Sequence, residues 1–180
     1  MKHKIFDDFV NSQISKKNEI VDLDWSKQRD EWIECVSSFY AQVESFLKQY
    51  VSKGQIQVNY ETKKITEEYI GEYEVKTANI RLGKNKIKLD PIGTNLIGAK
   101  GRVDMIGSNG KVKFVLVDKD SPAPKMAIRV WVNGQEPPHK EKKKREIEWA
   151  WKISTPPPGI TYIELNKESF FEALMGVANA

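Results

Sequence analysis

The period of the apolar residues changes at Gly54, and this change constrains the fold more than any other feature of the chain. From about Asp24 to Lys53, apolar residues recur every three or four positions, as they do on one face of a helix. Asp24 is a suitable N-cap and Gly54 a suitable stop signal. Beyond Gly54, apolar and polar residues alternate, as they do in strands. The sequence therefore predicts a long helix followed by a sheet.

The apolar seam of this helix is broad. It consists of Trp25, Trp32, Val36, Phe39, Val43, Phe46 and Tyr50, widened on one side by Ile33, Tyr40 and Leu47. A broad stripe favours packing on a sheet or on other helices, whereas a coiled coil keeps its seam narrow. The alternative is an assembly protein whose long helix pairs with a second copy of the chain, forming a homo-oligomer.

The sequence after Gly54 predicts short strands joined by tight turns. Gly83-Lys84-Asn85 and Gly107-Ser108-Asn109-Gly110 predict hairpins, and parallel crossovers would need a dozen residues or more. Asn166 is a suitable N-cap for a last helix. The prediction is a single α+β domain over residues 1–180: a twisted antiparallel sheet of six to eight strands, covered on one face by the long N-terminal amphipathic helix and a short C-terminal helix. Its further parts are an N-terminal arm or short helix (1–23), a strand (126–132) and a mobile basic loop (133–146).

Composition excludes several function classes. Cys35 is the only cysteine, so no intrachain disulfide forms, which fits a reducing compartment and predicts a cytoplasmic protein. His3 and His139 are the only histidines, and neither lies in a packed segment. Nucleophile systems that depend on a held histidine, structural zinc sites and cofactors are therefore not expected. The chain also lacks the roughly 20-residue apolar run of a membrane-spanning helix.

Positive charge is concentrated in the centre of the chain. The formal net charge is +4, but residues 81–145 carry 16 basic and 6 acidic side chains. Alternation predicts that the basic side chains of the central strands share one face. The predicted binding residues are Lys86, Lys88, Lys111, Lys113, Arg129 and Trp131, with Lys142, Lys143, Lys144 and Arg145 in the basic loop. A solvated outer face is the alternative interpretation. The leading hypothesis is a non-enzymatic binding or regulatory protein that engages an acidic macromolecule, with DNA and RNA among the candidates.

The segment Leu96-Ile97-Gly98-Ala99-Lys100-Gly101 contains a Gly-x-x-Gly pattern. It resembles the loop by which K-homology RNA-binding domains clamp a nucleic-acid backbone. In that family the loop joins two helices, whereas here glycines and a proline flank it. The alternative is a turn between strands in which Gly98 and Gly101 adopt positive φ.

Two aspartates form a second motif. Asp104, a glycine-rich hairpin and Asp118 resemble the strand pair of the PD-(D/E)xK nucleases, in which such acids hold a divalent metal. The resemblance implies Asp104 and Asp118 as catalytic residues. The family's lysine, two positions after the second acid, is replaced here by Asp120. The carboxylates of Glu67, Glu68, Glu72 and Glu74 are predicted to face water.

Overall fold

The computed structural model describes residues 24–94, 98–124 and 147–178. The predictions for the arm (1–23), the strand (126–132) and the basic loop (133–146) lie outside these residues. The elements, in chain order, are α1 (Trp25–Ser52), β1 (Ile56–Glu67), β2 (Gly71–Leu82), β3 (Asn85–Gly93), β4 (Gly101–Gly107), β5 (Gly110–Asp118), β6 (Trp149–Ser154), β7 (Tyr162–Glu164) and α2 (Lys167–Ala178).

Helix α1 begins and ends where the sequence predicts. An Asp24 carboxylate oxygen accepts a hydrogen bond from the Lys27 backbone N–H at 3.0 Å, which caps the first turn. Gly54 follows the helix with a φ of +68°, a backbone conformation that residues with a Cβ rarely adopt. The buried residues of α1 are Trp32, Val36, Phe39, Tyr40, Val43 and Leu47. All six belong to the predicted seam or its widened side.

The strands form one seven-stranded antiparallel sheet in the order β1-β2-β3-β4-β5-β6-β7. Each strand pairs with its neighbours along the chain, as short connections require. The predicted turns join β2 to β3, where Leu82 pairs with Asn85, and β4 to β5, where Gly107 pairs with Gly110. Along the chain, α1 precedes the first strand and α2 follows the last one. The predicted α+β architecture is therefore confirmed.

Both helices pack on the same face of the sheet. The Phe39 ring of α1 lies 5.1 Å from Phe114 and 4.9 Å from Trp151, between ring centroids. Phe170 of α2 lies 6.2 Å from Phe114. The covered face continues across the paired residues Leu89, Met105, Val103 and Ile153. Successive side chains in a strand point to opposite faces, so the residues between these line the other face.

We call this other face the open face. On strands β1 to β5 it includes Gln57, Asn59, Glu61, Asn79, Arg81, Lys86, Lys88, Asp90, Arg102, Asp104, Ile106, Lys111 and Lys113. Neither described helix covers it. Further along, between β5 and β6, the same side of the sheet is closed, since Val117 and Lys152 are buried. The accessible part of the face is therefore centred on β2, β3 and the first half of β5.

The β1–β2 hairpin changes the face that it buries. Near its base the even-numbered Ile56 and Ile80 are buried, whereas near its tip the odd-numbered Ile65 and Tyr73 are buried. The pairing register continues unbroken between these regions. The tip is fastened by Glu67, whose carboxylate accepts hydrogen bonds from the Tyr73 hydroxyl and from the Thr94 backbone N–H and hydroxyl. The prediction that Glu67 faces water is therefore wrong.

Among the described residues, no helix combines the length and the apolar composition needed to cross a bilayer.

Candidate functional site

Four of the predicted binding residues share the open face. Lys86 lies opposite Arg81, and Lys88 lies opposite Asn79 on one side and Ile106 on the other. Lys111 lies opposite Ile106, and Lys113 lies opposite Asp104. Because neighbouring strands are about 4.8 Å apart, these side chains project within three strand spacings of one another. The remaining predicted residues, Arg129, Trp131, Lys142, Lys143, Lys144 and Arg145, lie outside the described residues.

A groove occupies the part of this face on β1, β2 and β3. Its volume is about 440 Å³, and its polar lining consists of Asn59, Glu61, Asn79, Arg81, Lys86 and Lys88. Three cations therefore face a single carboxylate there. The two amide side chains can both donate and accept hydrogen bonds. We call this cavity the basic groove.

Sequence reasoning missed the groove's neutral neighbours Asn59 and Asn79 and its arginine, Arg81. The alternation that placed the lysines would have identified all three, because Asn59 lies between Val58 and Tyr60 and because Asn79 and Arg81 flank Ile80. Arg81, Lys86 and Lys113 form no ion pair with any described residue, unlike Lys63, Lys88, Arg102 and Lys111 on the same part of the sheet.

Two aspartates lie between the lysines. Asp90 and Asp104 are directly opposite each other on β3 and β4, and both project to the open face. Asp104 is only 2% exposed. One oxygen lies 2.9 Å from Nε of Arg102, at an angle outside that of a hydrogen bond; the other accepts a hydrogen bond from Nη2 of Arg102 at 3.5 Å and lies 3.2 Å from Nζ of Lys111. Asp104 is thus the anionic partner of two cations.

Asp90 contacts a different pair of cations, which belong to β1 and β3. Its carboxylate lies 2.9 Å from Nζ of Lys63 and 3.4 Å from Nζ of Lys88. The predicted basic face therefore contains carboxylates as well as lysines. Sequence alternation does not reveal this pairing, because the register of β3 against β4 shifts at a bulge between Pro91 and Gly93.

The nuclease motif is not assembled. Asp104 pairs with Lys113, five positions before Asp118 on β5. Five is an odd number, so alternation places Asp118 on the helix-covered side, where it pairs with Trp149. One metal ion cannot be held by carboxylates on opposite faces of a sheet. Within residues 24–94, 98–124 and 147–178, no group of three acidic, histidine or cysteine side chains could hold a metal ion.

The Gly-x-x-Gly segment leads directly into a strand. Gly98 has φ of +80°, as the turn interpretation predicts. The Lys100 backbone N–H donates to the Leu116 carbonyl at 2.7 Å, and β4 begins at Gly101. The prediction of positive φ for Gly101 is wrong. Gly101 is needed for another reason: a Cβ at this position would overlap the ring of Trp32. A K-homology loop joins helices, whereas this one joins Thr94 to a strand.

The apolar seam of α1 packs against the sheet and α2 of the same chain. Trp32, Phe39 and Leu47 are completely buried against the sheet and α2. Pairing of α1 with a second copy through this seam would require the helix to leave its own core.

Comparison with protein-family models, with curated proteins and with solved structures gave no match. The chemistry of the open face is therefore the basis on which a function can be assigned.

Proposed function

We propose that this chain is a non-enzymatic nucleic-acid-binding protein whose open face contacts the phosphate backbone. The observation that carries the proposal is the basic groove, in which Arg81, Lys86 and Lys88 converge on a face that neither described helix covers. Lys111 and Lys113 extend the same face over β5. Lysines and arginines that neutralise phosphates release condensed counterions, and this release drives binding.

The groove offers two kinds of contact. The guanidinium of Arg81 can bind a phosphate through two parallel N–H donors, and the lysines act as point charges. The amides of Asn59 and Asn79 lie in adjacent cross-strand positions and can hydrogen-bond to sugar or base edges. This combination supports backbone contacts with limited sequence preference. It also fits nucleic acid, whose phosphates and sugar or base edges lie side by side and can contact the cations and the amides together.

A salt titration with paired variants tests this proposal. A fluorescent oligonucleotide, single-stranded in one series and duplex in another, is titrated with the wild-type protein and with R81Q/K86Q. The matched control is K27Q/K48Q, which removes the same charge from exposed positions of α1, on the opposite side of the sheet. We expect R81Q/K86Q to reduce the slope of log K against log salt by about 2, and the control to leave it unchanged.

Three outcomes would overturn the proposal. The first is absence of oligonucleotide binding by the wild-type protein at low salt. The second is an equal loss of affinity in both double variants, which would show that only net charge matters. The third is equally tight binding of a polyglutamate of the same charge, which would assign the surface to acidic proteins.

A further inference from the structure

The pair Asp90–Asp104 is an unusual feature of a face proposed to bind anions. Like charges directly opposite each other in an antiparallel sheet destabilise it. Here four cations, Lys63, Lys88, Arg102 and Lys111, compensate the two carboxylates. The carboxylates therefore already hold two of the lysines that a polyanion would contact, Lys88 and Lys111.

The two carboxylates differ in how firmly they are held. Asp104 has a side chain only 3% exposed and serves as a buried counter-ion. Asp90 is 15% exposed and shares its charge between two lysines. Lys63 is anchored twice, to the Asp90 carboxylate and to the Pro91 carbonyl at 3.0 Å. Lys88 is 44% exposed and has only the longer, 3.4 Å contact with Asp90. Lys88 is thus the cation that can exchange partners.

We propose that Asp90 limits the affinity of the open face by competing with the bound polyanion for Lys88. This inference rests on the proposed function. Lys88 lies in the basic groove beside Arg81 and Lys86, so a phosphate in the groove and the Asp90 carboxylate face the same ammonium group from two sides. Binding requires Lys88 to turn from the carboxylate towards the phosphate. A neutral residue at position 90 removes both this competition and the repulsion of the incoming charge.

The test compares D90N with the wild-type protein in the oligonucleotide titration. We expect D90N to bind about three- to eightfold more tightly at low salt, because it frees Lys88 from a carboxylate contact of 3.4 Å, which in a largely aqueous medium corresponds to a factor of up to about eight. The control is D30N, which removes an exposed carboxylate from α1. It changes the net charge equally and should leave the affinity within about twofold.

A double-mutant cycle separates competition for Lys88 from simple charge removal. In a K88Q background the gain from D90N should fall to less than half of its value in the wild-type background, because no ammonium is left to release. An undiminished gain in K88Q would overturn the proposal, as would an unchanged affinity of D90N. Thermal unfolding establishes that each variant is folded, and D90T, with a strand-favouring side chain, replaces D90N if the latter does not fold.

The outcomes distinguish the two proposals. If the wild-type protein and D90N both fail to bind any oligonucleotide, the proposed function is wrong. If the wild-type protein binds and D90N binds no more tightly, only the role of Asp90 is wrong.

Discussion

At the residue scale, Gly101 shows how closely the helix and sheet are fitted. Strand β4 starts at this residue, and the ring of Trp32 from α1 lies where a Cβ would project. Trp32 has no exposed surface, so its ring has no free space into which to move. The glycine is therefore required by packing and not by backbone conformation.

We expect G101A to lower the free energy of unfolding by about 1–3 kcal/mol, because the added methyl group overpacks a buried contact. The same substitution at Gly176, in α2, meets no atom within 4 Å. We expect G176A to raise the free energy of unfolding by about 0.5–1 kcal/mol, since alanine is the better helix former. Urea denaturation of both variants measures the difference. A G101A protein as stable as the wild type would contradict the contact with Trp32.

Single residues of the candidate site were predictable to different degrees. The shared face of Lys86, Lys88, Lys111 and Lys113 follows from alternation alone, which depends only on the strand period. The pairing of Asp90 with Asp104 depends on the register between two strands, and a bulge sets that register. A bulge is a local backbone event with no clear signature in this segment, apart from Pro91 and Gly93.

At the element scale, helix α2 depends on a reciprocal cap. The Asn166 side-chain oxygen accepts from the Ser169 backbone N–H at 2.9 Å, and the Ser169 hydroxyl oxygen accepts from the Asn166 backbone N–H at 3.0 Å. Two backbone donors that the first turn would leave unpaired are thereby satisfied. The cap fixes where α2 starts and so directs Phe170 into the core.

Removal of this cap should weaken the docking of α2. We expect N166A to lower the free energy of unfolding by about 1 kcal/mol, whereas N166D, which keeps the accepting oxygen, should stay close to the wild type. Chemical denaturation monitored by circular dichroism measures both. Equal losses in the two variants would show that the side-chain oxygen is not what stabilises the helix.

The elements themselves were predicted well where one period extends over many residues. Helix α1 offers a seam through 28 residues and clear signals at both ends. The β1–β2 hairpin was harder, because its buried residues move from even to odd positions between Tyr60 and Ile65. The odd spacing of these two apolar residues was the available signal. An odd spacing can equally indicate the end of one strand and the start of another, so it does not by itself reveal a continuous strand that changes its buried face.

At the scale of the whole molecule, the core and its margins hold tyrosines in their protonated form. Burial, as the largest cause, raises the pKa of Tyr40, Tyr60, Tyr73 and Tyr162 above the ordinary value of 10.0. For Tyr60 and Tyr73, hydrogen bonds to Glu44 and Glu67 raise the pKa further. These hydroxyls are donors to carboxylates, and ionisation would place two negative charges together.

Stability should therefore decline in alkaline solution. Below about pH 10 the folded and unfolded states both keep these protons, and the tyrosines contribute no pH dependence. Above it, the unfolded chain ionises first, so unfolding releases protons and the free energy of unfolding falls as pH rises. We expect this fall in denaturation curves measured between about pH 9 and pH 11. The Y73F variant should fall less steeply, and an equally steep fall in Y73F would exclude a contribution from Tyr73.

The sequential strand order also has a consequence for synthesis of the chain. Helix α1 leaves the ribosome before the sheet, and Phe114 and Trp151, against which Phe39 packs, are translated later. At about 5–20 residues per second, the interval between Phe39 and Trp151 lasts roughly 6–20 s. By the end of that interval strands β1 to β5 have been made, but the ring of Phe39 still lacks Trp151, so this part of the core can close only after β6 has been synthesised.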